Sequence, residues 1–389
     1  MALTKTLYFG SYAVLVALLA VTRFVIVPAN IQMALLTAAI LFIGSHQSLK
    51  LSEIDSVTGK RSGDGEAITR KDAMMFPLFG SAALLSLYIC YKFVGKEYLN
   101  LLLTTYIMLA GVAAVGNTIE PLFYPILPSK WLKKEHKINF HIPKLLQKLS
   151  EGQTEFKHDF GKTDIVTHLV GLGLAGFFLQ TKDFTVHNLF GISFSIQAIR
   201  MVSIGQFLNA FILLWGLFFY DVFWVFGTDV MVTVALSLEA PAKIIFPQSF
   251  EPWKQGILGL GDIVIPGIFV SICLRFDDFL HCKRMGVHHH REDIRILHEF
   301  PRVYFYAVMV GYLIGLAATA FAMHWMKAAQ PALLYLVPGT TLSVLFVALV
   351  RGQFKELMAY SEDEKHESDL KHIPEEKSSG ETVQTKKKK

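Results

Sequence analysis

Two aspartates stand where carboxylates are costly. Asp221 lies in the run Leu213-Leu214-Trp215-Gly216-Leu217-Phe218-Phe219-Tyr220-Asp221-Val222-Phe223-Trp224-Val225-Phe226, and Asp262 in Gly259-Leu260-Gly261-Asp262-Ile263-Val264-Ile265-Pro266-Gly267. Neither run holds a basic residue. A carboxylate at the centre of a membrane helix costs about 2.5 to 3.5 kcal/mol on insertion scales, which makes each one a functional residue by default. Two such acids in consecutive apolar segments are expected to face each other and to hold one proton between them at neutral pH. The ionised member then serves as base toward a water while the protonated one polarises a carbonyl, which is chemistry for hydrolysing an amide. Water and substrate must both reach that point. Gly259 and Gly261 answer the need by removing side chains and loosening the helix beside Asp262.

Other chemistry uses the same residue type. An Asp inside a span also serves as a protonated link between helices or as a station in an ion path. A proton- or cation-coupled transporter would carry inverted repeats, which this sequence does not display. A scaffold that binds membrane helices without cutting them stays open as an additional role, since binding precedes cleavage. His288, His289 and His290 do not read as a metal site, because consecutive residues cannot all face one ion on a regular helix or strand. Cys90, Cys273 and Cys282 predict neither a disulfide framework nor a thiolate site. No metal and no cofactor are expected.

The elements that must position both acids are membrane helices. Of 389 residues, 52% are apolar and 18% charged, and the apolar ones gather in long blocks. The blocks run 8–27, 31–49, 74–94, 99–117, 165–180, 184–199, 202–226, 256–274, 303–326 and 331–350. This predicts an all-α multi-span membrane protein with nine transmembrane helices from Ile31 onward, in contact with the lipid bilayer. The first block carries Arg23 and ends at Pro28. It is left open as an extra span, a half-inserted helix or a signal sequence, although Ile26-Val27-Pro28 makes a poor cleavage site. The expected division is an N-terminal apolar segment over 1–30, a nine-span domain over 31–354 and a disordered polar tail over 355–389.

The net charge of +5 falls in loops and in the last four residues, so it argues for topology and against nucleic acid. With nine spans and a cytosolic C-terminus, one side collects Lys50, Lys60, Arg61, Arg70, Lys71 and most of the later loop lysines and arginines. The other side receives only Lys92, Lys96, Lys182, Lys243, Lys254 and Lys327. Lys386 and Lys387 stand fourth and third from the end, the placing of a dilysine signal that coat machinery reads to return membrane proteins to the endoplasmic reticulum. The alternative for this end is a basic segment drawn to lipid.

Three runs resemble one family. Tyr220 to Thr228, continuing through Val230-Met231-Val232-Thr233-Val234-Ala235, is similar to the sixth span of the signal peptide peptidases. Gly259 to Phe269 is similar to the seventh, and Gln330-Pro331-Ala332-Leu333-Leu334-Tyr335-Leu336-Val337-Pro338 to the start of the ninth. Fainter similarity at 97–103 and 188–191 extends the resemblance over about 31–350. It implies an intramembrane aspartic endopeptidase of the endoplasmic reticulum membrane. The expected substrates are remnant signal peptides and some type II or tail-anchored segments. By the same resemblance Asp221 and Asp262 are the catalytic acids, and Gln330, Pro331, Ala332 and Leu333 shape the site beside them, with Gly259, Leu260 and Gly261 lining it. Tyr220 either donates to substrate or packs within its span. A homo-oligomer or a quality-control complex is left open. Asp229, where animal members tend to carry Asn, reads as a solvated residue. The stretch from Ile244 to Gln248 is a candidate edge for pairing with unwound substrate.

Overall fold

The computed structural model describes residues 2–49, 68–123, 134–141, 155–251, 253–285, 299–327 and 330–362. Lys386, Lys387, His288 to His290 and several of the loop lysines and arginines lie outside these residues.

Ten long helices account for the ten apolar blocks: α1 (Ala2–Val21), α2 (Ala29–Ser48), α3 (Arg70–Phe93), α4 (Lys96–Phe123), α5 (Lys162–Thr181), α6 (Phe184–Met201), α7 (Phe207–Phe226), α9 (Leu260–Met285), α10 (Val303–Met326) and α11 (Leu333–Val350). Two short ones, α8 (Val230–Ser237) and α12 (Phe354–Ala359), follow α7 and α11. Among the described residues, seven helices are long and apolar enough to cross a membrane: α2, α3, α4, α5, α7, α10 and α11. The blocks that became α6 and α9 are more polar because they run through the middle of the bundle. Asn188, Ser193 and Gln197 of α6 and Arg275 and Asp277 of α9 are buried against other helices.

Local signals set several boundaries. Thr69 and Asp72 form a reciprocal capping box at the start of α3, with Thr69 Oγ1 accepting from the Asp72 amide and Asp72 Oδ2 from the Thr69 amide. Asp183 caps α6 by accepting from the Thr185 and Val186 amides. Close packing sets others. Gly311 and Gly315 of α10 lie directly on the α11 backbone, where a Cβ at Gly315 would stand 2.8 Å from the Tyr335 carbonyl oxygen. Small residues four apart let two membrane helices approach this closely.

The bundle is mostly helical, as expected, and adds two antiparallel hairpins. β1 (Lys134–His141) pairs with β2 (Glu155–Gly161), and β3 (Lys243–Phe250) with β4 (Trp253–Gly259). The block predicted to start a helix at Gly256 therefore starts as a strand, and α9 begins only at Leu260. The polar tail expected from 355 likewise opens with α12 and a buried Tyr360 and Glu362.

α1 packs antiparallel to α2. Gln47 Nε2 donates to Tyr8 Oη at 3.2 Å and Tyr12 Oη at 2.8 Å, and Tyr12 donates on to the Thr118 carbonyl of α4 at 2.9 Å. The two ends of α1 meet opposite ends of the bundle. Arg302, which precedes α10, donates to Thr4 Oγ1 at 3.1 Å, and Arg23 pairs with Asp183 at the start of α6 at 3.1 Å.

Candidate active site

Asp221 sits five residues before the end of α7, and its side chain is buried among apolar neighbours. Its Oδ2 accepts the backbone amide of Leu333 at 2.9 Å. Leu333 is the first residue of α11, so its N–H is one of the amides that a helix start leaves without an internal partner. Pro331 and Ala332, also buried, lead the chain into that position. The turn of Pro331, Ala332 and Leu333 is thus brought to Asp221 through the Leu333 amide. Gln330 lies at the same turn, where its Oε1 accepts from the Tyr335 hydroxyl at 3.3 Å.

Asp262 belongs to the first turn of α9. The hairpin delivers it there. Gly259 closes β4 opposite Lys243, and the Leu260 amide donates to the Ala242 carbonyl at 3.2 Å. A Cβ at Gly259 would stand 3.3 Å from Asp262 Oδ2, so the carboxylate rests on the space this glycine leaves. Gly261 is exposed, and Leu260 packs on the core. The helices that carry the two acids, α7 and α9, are in contact with each other. The Tyr312 hydroxyl of α10 donates to the Asp262 carbonyl at 3.4 Å. Tyr304, Tyr306 and Thr319 share its apolar block, so the sequence did not single Tyr312 out.

Tyr220 points elsewhere. Its ring lies over Gly80 of α3 and near Trp224, whose Nε1 donates to Ser81 at 3.0 Å. Neighbours on a helix are about 100° apart, so Tyr220 and Asp221 serve different faces. Asp229 is exposed at the start of α8.

The hairpin edges are unequal. Asn188 of α6 donates through Nδ2 to the Ile245 carbonyl at 2.7 Å and accepts the Ile245 amide at 2.8 Å, while His187 Nε2 donates to the Lys243 carbonyl at 3.0 Å. These side chains occupy the outer edge of β3, and Pro247 on that strand has no amide to offer. The stretch from Ile244 to Gln248 is therefore a strand, but its edge is taken. Because Ile245 faces outward, Ile244 and Leu258 face each other, which turns the backbone groups of Gln255, Ile257 and Gly259 away from β3.

Comparison with known proteins decides the family. The family model for signal peptide peptidase matches residues 60–364. The signal peptide peptidases of Mus musculus and Homo sapiens are each 38% identical over 333 residues, covering 83% of this chain and 80% of theirs. The chain belongs to the signal peptide peptidase family. A probable intramembrane protease of Schizosaccharomyces pombe is 30% identical over 304 residues, covering 78% of this chain and 87% of its own. This member of the signal peptide peptidase family is thus a multi-pass membrane protein and an intramembrane protease by kinship. The match begins after α1 and α2, so those helices fall outside the family model, whereas Tyr360 and Glu362 fall inside it.

Proposed function

We propose that this protein is an aspartic endopeptidase that cuts remnant signal peptides and some type II or tail-anchored segments within the bilayer of the endoplasmic reticulum. The observation that carries the proposal is the bond from the Leu333 amide to Asp221 Oδ2, which joins the run around Asp221 to the Pro331-Ala332-Leu333 run.

A water between the carboxylates attacks the scissile carbonyl. Asp221, already steadied by an amide, takes the water's proton, and Asp262 gives its proton to the carbonyl oxygen. The tetrahedral diol then collapses as a proton passes to the leaving nitrogen and the C–N bond breaks, returning one proton to the pair. A helical substrate hides its carbonyls in internal bonds and must unwind first. Unwound chain adds to the outer edge of β4, where Ile257 and Gly259 turn backbone groups away from β3 and lead to Asp262. The blocked edge of β3 leaves β4 as the docking side.

In this reading Lys386 and Lys387 face the cytosol for coat machinery. The bond from Arg302 to Thr4 supports a reading of α1 as a further crossing with Thr4 on the same side as Arg302. The test is cleavage of a signal-peptide reporter by purified protein in liposomes, with products located by mass spectrometry. A hydroxyl-bearing transition-state analogue should block the wild type. Cleavage that survives in both Asp221→Asn and Asp262→Asn would sink the proposal.

A further inference from the structure

The two aspartates belong to helices that lean mainly on other partners. α7 packs on α3 and α11, and α9 on α2, α6 and α10. One residue of slip along a helix is about 1.5 Å, enough to part groups that must share a proton.

The last described segment touches both helices. After α11, Gly352 turns the chain with a φ of 66°, a conformation that suits glycine, and the Gln353 amide donates back to the Ala348 carbonyl at 2.8 Å. α12 follows. The buried Tyr360 ring then lies 5.8 Å from Phe207, the first residue of α7, and 5.3 Å from both Phe276 and Phe279 of α9. Glu362 is buried as well. Its Oε1 accepts from Arg275 Nε of α9 at 2.6 Å, and its Oε2 from Ser203 Oγ, just before α7, at 2.6 Å. The Glu362 amide donates to the Gly205 carbonyl at 2.9 Å, and Ser361 bridges Gln206. Arg275 Nη1 also donates to Ser48 at 3.1 Å and Ser271 at 3.2 Å. A buried ion pair adds little net stability against apolar packing, and its better use is to specify one arrangement.

The heights match. Asp221 lies 14 residues beyond Phe207 and Asp262 lies 13 before Arg275, about 21 and 20 Å at the helical rise. We propose that Tyr360, Glu362 and Arg275 form a latch that sets the axial register of α7 against α9 and thereby aligns Asp221 with Asp262. These are positioning residues, and their effect on rate rests on the two-aspartate reading above.

The test uses the full-length protein in liposomes. Tyr360→Ala and Glu362→Ala should each lower kcat at least tenfold and weaken the transition-state analogue at least tenfold, with KM within twofold because substrate docks before the acids act. Glu362→Gln, which keeps the Ser203 and backbone contacts, should fall between them and the wild type, and it carries the test if an alanine variant does not fold. The register is also read without catalysis, from the distance between spin labels at Phe226→Cys on α7 and Met285→Cys on α9, with Cys90 and Cys282 changed to serine. That distance runs mostly along the helices, so Glu362→Ala and Glu362→Gln should shift it by about 1.5 Å or more. An unchanged label distance, or KM and kcat worsening together, overturns the latch. Activity remaining in Asp221→Asn would instead remove the aspartyl reading, and the label distance would still decide the latch.

Discussion

Asp221 and Asp277 are the same side chain in the same device, a buried carboxylate set against the N-terminal amides of another helix. Asp277 of α9 spends both oxygens on α10, Oδ1 accepting from Tyr304 at 3.2 Å and Oδ2 from Phe305 at 2.8 Å. Asp221 spends Oδ2 on the single amide of Leu333 and leaves Oδ1 for other chemistry. Two donors make a fastener that ties the end of α9 to the start of α10. One donor makes a carboxylate that is held in place and still able to move a proton. The count of amides, rather than burial or residue type, separates the structural acid from the proposed reagent.

Substitutions can break that contrast. The largest expected effect is on rate: Asp221→Asn should lower kcat for the reporter by about 10³-fold or more, with little change in thermal stability. Asp277→Asn should do the reverse. It turns an acceptor pair toward α10 into a mixed donor and acceptor, costing about 2 kcal/mol or more in stability by denaturation while the folded fraction keeps its kcat. Loss of cleavage in a well-folded Asp277→Asn protein would erase the distinction. Gly259→Ala sharpens it, since a methyl pressed on Asp262 should lower kcat by about 10- to 100-fold without unfolding the chain. Asn188→Ala should cost about 1 to 3 kcal/mol in stability through the two bonds it removes from β3, and should leave kcat nearly unchanged. Smallest of all is Asp229→Asn, an exposed change expected to stay within about 0.5 kcal/mol in stability and to leave cleavage at its wild-type rate.

The helices were legible because lipid demands long apolar runs, and each run left its mark in the chain from Tyr8 to Val350. Asp221 and Asp262 were legible for the complementary reason, that a carboxylate in such a run is costly. What escaped were partnerships between distant residues. Asp277 falls just past the apolar block that ends at 274, and nothing nearby foretells the α10 amides it accepts. Tyr360 and Glu362 lay in a stretch whose composition is polar, and their burial comes from Phe207, Ser203 and Arg275, far back in the chain. The hairpin before Asp262 was half hidden: Ile244 to Gln248 invited a strand, but the side chain of Asn188 decided which edge stayed open. Tyr220 could not be placed from its neighbour, because adjacent helical residues face different surroundings.

The bond that completes Asp221 joins residues 112 apart in the chain, whereas the Asp277 cap closes within 27 or 28. At roughly 5 to 20 residues per second, synthesis delivers the α10 amides to Asp277 within about 1 to 6 s and Leu333 to Asp221 only after about 6 to 22 s. Over the last 71 residues of that interval, from Asp262 to Leu333, both aspartates are already made while the amide that holds Asp221 is not. Under the proposed mechanism, the protease is thereby kept unarmed until nearly all of its helices have left the ribosome.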